Sequence, residues 1–147
     1  MPVNESFIGR SYPPTPTYRV SREKIREFAD AINDPNPAYR DPAAAKALGH
    51  ADVVAPPTFA IVLTLPAGAQ VIADPEAGID YSRVVHGEQR FVHTRPIVAG
   101  DDLQVVLTVE NIRVAAGNEL ITNRAEVKTV DGELVATAYS TIVVRGQ

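Results

Sequence analysis

The chain reads as an α+β protein in which an antiparallel sheet wraps around one long central helix, with residues 1–147 forming one domain. Three observations predict this. Ile25, Phe28, Ala29 and Ile32 recur at helical spacing, the run from Thr58 to Ala73 is apolar on nearly every side, and from Val84 onward the texture becomes two-residue alternation broken by turn dipeptides.

In chain order, Pro2, Pro13, Pro14 and Pro16 make the lead-in extended, with a short strand from about Thr15 to Val20. Ser21 is positioned as an N-cap, and the helix it opens runs to about Ile32, where Asn33-Asp34-Pro35-Asn36-Pro37 stops it. Asp41-Pro42 starts a second short helix through Leu48, which Gly49 ends. The apolar stretch Thr58 to Ala73 is expected as a helix enclosed by other structure, with a kink or broken turn at Pro66. Ile61, Val62, Leu63 and Leu65 within it are first of all core residues.

Leu103, Val105, Leu107 and Val109 alternate with Gln104, Thr108 and Glu110, giving a strand with one buried face. The apolar phase then switches to Ile112 and Val114, which predicts a bulge near Asn111. Gly117-Asn118 and Asp131-Gly132 separate this strand from Leu120 to Val130 and from Leu134 to Val144. With the segment after Val84, four strands in hairpin order are expected.

Composition limits the function. The 147 residues, 45% of them hydrophobic, suffice for one continuous core. Fourteen basic against 18 acidic residues give a net charge of −4 with no Lys or Arg run, which argues against a nucleic-acid partner. Cysteine is absent, removing thiolate nucleophiles and Cys-based metal sites, and nothing implies a metal or cofactor. No apolar run of about 18 residues and no signal-like N-terminus occur, so the expectation is a cytoplasmic protein without a membrane association.

The most informative segment is Phe28-Ala29-Asp30-Ala31-Ile32-Asn33-Asp34-Pro35-Asn36-Pro37-Ala38-Tyr39-Arg40-Asp41. It resembles the signature F-x-x-x-[ST]-G-D-x-N-P-x-H-x-D of the MaoC-like (R)-specific enoyl hydratases and dehydratases, whose Asp and His form an acid-base pair. Asp34, Asn36 and Pro37 are present, but Tyr39 stands in the place of His and Asn33 in the place of Gly. The resemblance continues through Ala55-Pro56-Pro57-Thr58-Phe59, Val85-His86-Gly87-Glu88-Gln89 and Arg95-Pro96-Ile97-Val98-Ala99-Gly100-Asp101. It implies a hot-dog fold. The P-T-F and H-G-E-Q segments are similar to the non-catalytic N-terminal half of double-hot-dog hydratases, to partner subunits of the actinobacterial (3R)-hydroxyacyl-ACP dehydratase, and to UPF0336-like proteins.

Hydration of a 2,3-enoyl thioester needs one group to handle the water proton and one to handle the C2 proton, tasks suited to Asp and His. Tyr39, with a phenol pKa of about 10, donates a hydrogen bond but is a poor base at neutral pH. It is expected to be packed, its hydroxyl bonded to Asp34 or to backbone. The candidate catalytic residues are therefore a degenerate set, Asp34, Asn36 and Tyr39, with His86 as a weaker addition. Pro57, Phe59 and Gly87 are the substrate-binding positions that the resemblance implies. The thioester oxygen is expected at backbone N–H groups of a helix N-terminus.

His86 and Glu88 are also readable as structural hydrogen-bonding groups, His50 as a solvated loop residue and His93 as a surface residue. Arg90, Arg95 and Arg124 are candidates for a CoA or phosphopantetheine phosphate. The leading functional reading is an acyl-CoA- or acyl-ACP-binding, non-catalytic dehydratase subunit, paired with a catalytic MaoC-like chain. A self-sufficient homodimeric hydratase or thioesterase using Asp34 with His86 or His50, and a homodimeric acyl-thioester-binding protein, are the alternatives.

Overall fold

The computed structural model describes residues 2–146. Helix α1 (Arg22–Ala31) starts where the Ser21 hydroxyl accepts from the Lys24 N–H, and it buries Ile25 and Ala29. A single 3-10 turn, Pro37–Tyr39, follows, and then α2 (Pro42–Ala47), capped by the Asp41 carboxylate on the Ala43 N–H. The long helix α3 spans Ile61–Ala73.

The expected start of α3 at Thr58 is three residues early. Ala60 offers no side-chain cap. The chain enters instead through i to i+3 bonds, with the N–H groups of Phe59, Ile61, Val62 and Leu63 donating to the carbonyls of Pro56, Thr58, Phe59 and Ala60. Pro66 does not break the helix, which is continuous through it. Pro66 lacks only the N–H that would reach residue 62, near the helix start, so the loss is confined to the first turns.

The sheet contains β1 (Tyr18–Arg19), β2 (Val84–His93), β3 (Asp102–Ala115), β4 (Asn118–Thr129) and β5 (Leu134–Val144). Every pairing is antiparallel, in the order β1-β3-β4-β5-β2. Strand β1 is shorter than the expected Thr15 to Val20. The lead-in does run beside β3, with Gly9, Tyr12 and Thr15 donating to Val109, Leu107 and Val105. Its prolines have no N–H with which to complete that ladder.

Hairpin order holds for β3, β4 and β5 but not for β2, which pairs with β5 on the far edge. The cause lies in residues 94–101. Ile97 is 2% exposed, Val98 bridges to Val54, and Arg95 forms ion pairs with Asp101 and Glu133. Burying Ile97 takes the connection across the end of the sheet, so β2 cannot fold back on β3.

The predicted bulge is present as a register shift between Val109 and Asn111. A second shift lies between His86 and Glu88. Helix α3 packs chiefly on β3 and β4, burying Leu63, Thr64, Ala67 and Val71. It is not enclosed on all sides, since Leu65 is 68% exposed. One five-stranded sheet covers one flank of a helix, and the opposite apolar flank faces solvent. Among the described residues, no helix is long and apolar enough to cross a membrane.

Candidate functional site

The loop after α1 is a turn whose own side chains hold it. Asn33 holds φ +58°, a left-handed conformation that glycine adopts without strain and Asn tolerates. The Asp34 carboxylate accepts from the Asn36 N–H at 3.2 Å, and the Asn36 side-chain carbonyl accepts from the Ala38 N–H at 3.0 Å. The Asn36 backbone carbonyl takes an N–H from Arg40, whose guanidinium also pairs with Asp30 at 2.6 Å.

Tyr39 is buried, 9% exposed, as its packing role predicts. Its hydroxyl does not hydrogen-bond Asp34 or any other described residue. The 3-10 turn directs the ring into the core, where it fills space in place of an imidazole. Burial, and then the negative charge of Asp34, push its phenol above the ordinary tyrosine value. At neutral pH it is an uncharged hydrogen-bond donor and no base.

Asn36 and Tyr39 line a depression of about 440 Å³ with His50, Pro57, His93 and Arg95 among its walls. His93 is exposed, as expected, but its Nε2–H donates to the Pro57 carbonyl at 2.7 Å and pins the entry to α3. Phe59 is fully buried against Phe28, with ring centroids 5.5 Å apart at 78°. It contributes packing. At the entry to α3, one helix N-terminus where a thioester oxygen could be met, the N–H groups of Phe59, Ile61, Val62 and Leu63 are engaged by the i to i+3 bonds described above.

A second space, about 240 Å³, lies between α3 and the concave face of β4, β5 and β2. It exists because small residues face each other there: Gly68 on the helix, and Ala125, Ala138 and Ser140 on the sheet. His86 and Gln89 both line it. Three residues apart, they would point to opposite faces of a regular strand. The bulge at Gly87 supplies the extra residue, so His86 opposes Ile142 and Gln89 opposes Ser140 on the same face.

Gly87 itself lies on the other face of the sheet, in a depression with Glu88 and Arg90. A Cβ there would sit 3.0 Å from Val143 Cγ2 and 3.3 Å from the Thr141 carbonyl oxygen. Its lack of a side chain thus serves packing against β5. The structural hydrogen bonds expected of His86 and Glu88 are not made among the described residues: both side chains are exposed, His86 on the cavity face and Glu88 on the opposite one.

Asn36 and Tyr39, with the Asp34 charge acting on the Tyr39 phenol, therefore belong to one site and His86 to another; the two spaces share no lining residue. None of the three arginines reaches the cavity under α3. Arg95 is tied to Asp101 and Glu133, which hold its guanidinium more firmly protonated, Arg124 pairs with Glu110, and Arg90 stacks on Tyr139 at 4.0 Å. What the sequence reading missed is the polar set Thr64, Gln89 and Asn123 in that cavity, whose Thr64 Oγ1, Gln89 Nε2 and Asn123 Oδ1 are buried without a hydrogen-bond partner. Asn123 on the inward phase of an otherwise apolar strand was the available signal.

A curled antiparallel sheet around one helix, with the turn over residues 33–39 beside the helix entry, defines a hot-dog protein with the fold of the MaoC-like dehydratases. Residues 6–138 match the family described as FAS1-like, dehydratase domain region, and the chain belongs to that MaoC-like family. The UPF0336 protein of Saccharopolyspora erythraea is 60% identical over 146 residues, 99% of this chain and 94% of that one.

Among solved structures, the C-terminally truncated HadBC (3R-hydroxyacyl-ACP dehydratase) complex of Mycobacterium tuberculosis superposes with a TM-score of 0.83 and 32% identity. The match covers 93% of this chain and 96% of the matched one. A MaoC-like dehydratase gives a TM-score of 0.89 and 35% identity over 97% of this chain, which spans 43% of that protein's length.

Proposed function

We propose that the chain is the acyl-thioester-binding, non-catalytic subunit of a (3R)-hydroxyacyl-ACP or -CoA dehydratase, paired with a MaoC-like subunit that supplies the Asp and His. The observation that carries this reading is Tyr39, a buried neutral phenol in the position of the base. Asp34 and Asn36 are occupied as turn acceptors, and the N–H groups of Phe59, Ile61, Val62 and Leu63 at the entry to α3 are internally bonded. Acid-base catalysis by such a group contributes roughly 10²–10⁴-fold, and the loop lacks it. Acyl binding falls to the cavity under α3, whose walls are mainly apolar.

The likeness to a chain of the HadBC complex supports a hot-dog partner. The ten-residue strand β2 lies at the edge of the sheet with Val85 and Val92 exposed, 41% and 48%. An unpaired edge of that length suits extension by a second sheet. The purified chain is expected not to hydrate crotonyl-CoA, and activity is expected on co-expression with a catalytic MaoC-like chain. Efficient turnover by the chain alone would overturn the proposal. His50, which lines the same depression as Tyr39, favours the self-sufficient hydratase as a second reading. That reading requires turnover by the pure chain that is lost in Asp34→Asn.

A further inference from the structure

The concave face of the sheet is built in transverse rows. Leu107, Ala125, Ala138 and Phe91 are cross-strand neighbours in one row, and Ile112, Ile121, Ile142 and His86 in another. Between them run Val109, Asn123, Ser140 and Gln89. With strands about 4.8 Å apart, Asn123, Ser140 and Gln89 form a polar band about 10 Å wide across an apolar wall. Thr64 of α3 lines the same space.

Asn123 is 3% exposed and Thr64 6% exposed, yet the Asn123 Oδ1, Thr64 Oγ1 and Gln89 Nε2 atoms have no partner. A site that held only methylene groups would be more stable with Val or Leu at these positions, since a buried polar atom without a partner is costly.

Resting on the acyl-binding reading above, we propose that this band recognises a hydroxyl group carried along the acyl chain. The inventory suits a hydroxyl, which can donate to the Asn123 Oδ1 acceptor and also accept from the Gln89 Nε2–H or the Thr64 hydroxyl. A keto oxygen leaves the Asn123 acceptor unpaired, and a methylene leaves all three unpaired. None of the three side chains titrates near neutral pH. A hydroxyl held by them is recognised and not removed, so it is a different hydroxyl from the one at C3 that a dehydratase eliminates.

The test is isothermal titration of the full chain with dodecanoyl-CoA and with dodecanoyl-CoA esters hydroxylated singly at successive chain positions. One position beyond C3 is expected to bind about tenfold more tightly than the unsubstituted ester. In Asn123→Val that preference should fall to near unity. Thermal unfolding checks that the variant is folded; if it is not, Gln89→Leu on the edge strand provides the same readout. Equal binding of all esters would overturn the inference and leave the band hydrated only, as would tightening confined to C3 or independent of position. Absence of binding by every ester would overturn the acyl-binding reading as well.

Discussion

Asn33, at φ +58°, holds a left-handed position in the turn that follows α1. Asn tolerates the left-handed region and a β-branched residue does not. Asn33→Gly should therefore change stability by well under 1 kcal/mol, while Asn33→Val should cost about 1–3 kcal/mol in urea unfolding. Gly87 is constrained by its neighbour Val143 at 3.0 Å from a notional Cβ. Gly87→Ala should cost about 1–3 kcal/mol by the same measurement. Residues at this scale were legible where their chemistry is local: Asp34, Asn36 and Tyr39 follow one another in a turn whose shape their own prolines dictate. The environment of the Tyr39 hydroxyl was not, because it depends on which core atoms the ring meets.

At the scale of elements, caps and alternation were readable and partners were not. Ser21 was recognisable as an N-cap, and Ser21→Ala should cost about 1 kcal/mol in thermal or urea unfolding through loss of its bond to the Lys24 N–H. The bulge after Val109 announced itself as a phase switch. The bulge at Gly87 did not, since His86, Glu88 and Gln89 are all polar and carry no phase. The pairing of β2 with β5 was equally hidden, because alternation reports the face of a strand and not its neighbour. In the proposed assembly, Val92→Lys on the edge strand is expected to leave the chain folded and to abolish co-elution with the catalytic subunit in size-exclusion chromatography.

For the whole molecule, the pH dependence of stability has an assignable alkaline limb. Tyr12, which ties the lead-in to the end of α3 through a 3.1 Å bond to Asp74, is pushed up to about 12, first by burial and then by that bond. A raised phenol pKa means that the folded state retains a proton the unfolded chain releases from about pH 10. This contribution is fully present below pH 10 and is lost as pH rises toward 12. Urea unfolding across that interval should show stability falling with pH, and Tyr12→Phe should flatten the fall.

The amino-acid sequence by itself determined the fold class and the order and type of the main elements, because periodicity, caps and turn chemistry are local, and it placed Tyr39 where the signature it resembles has His. Only the tertiary structure decided which strands meet, that the loop site and His86 are separate, and that Thr64, Gln89 and Asn123 line one cavity with atoms that have no partner among the described residues. These depend on the long-range register of strands far apart in the chain, and on a cavity that exists only because small residues from α3 and the sheet face one another.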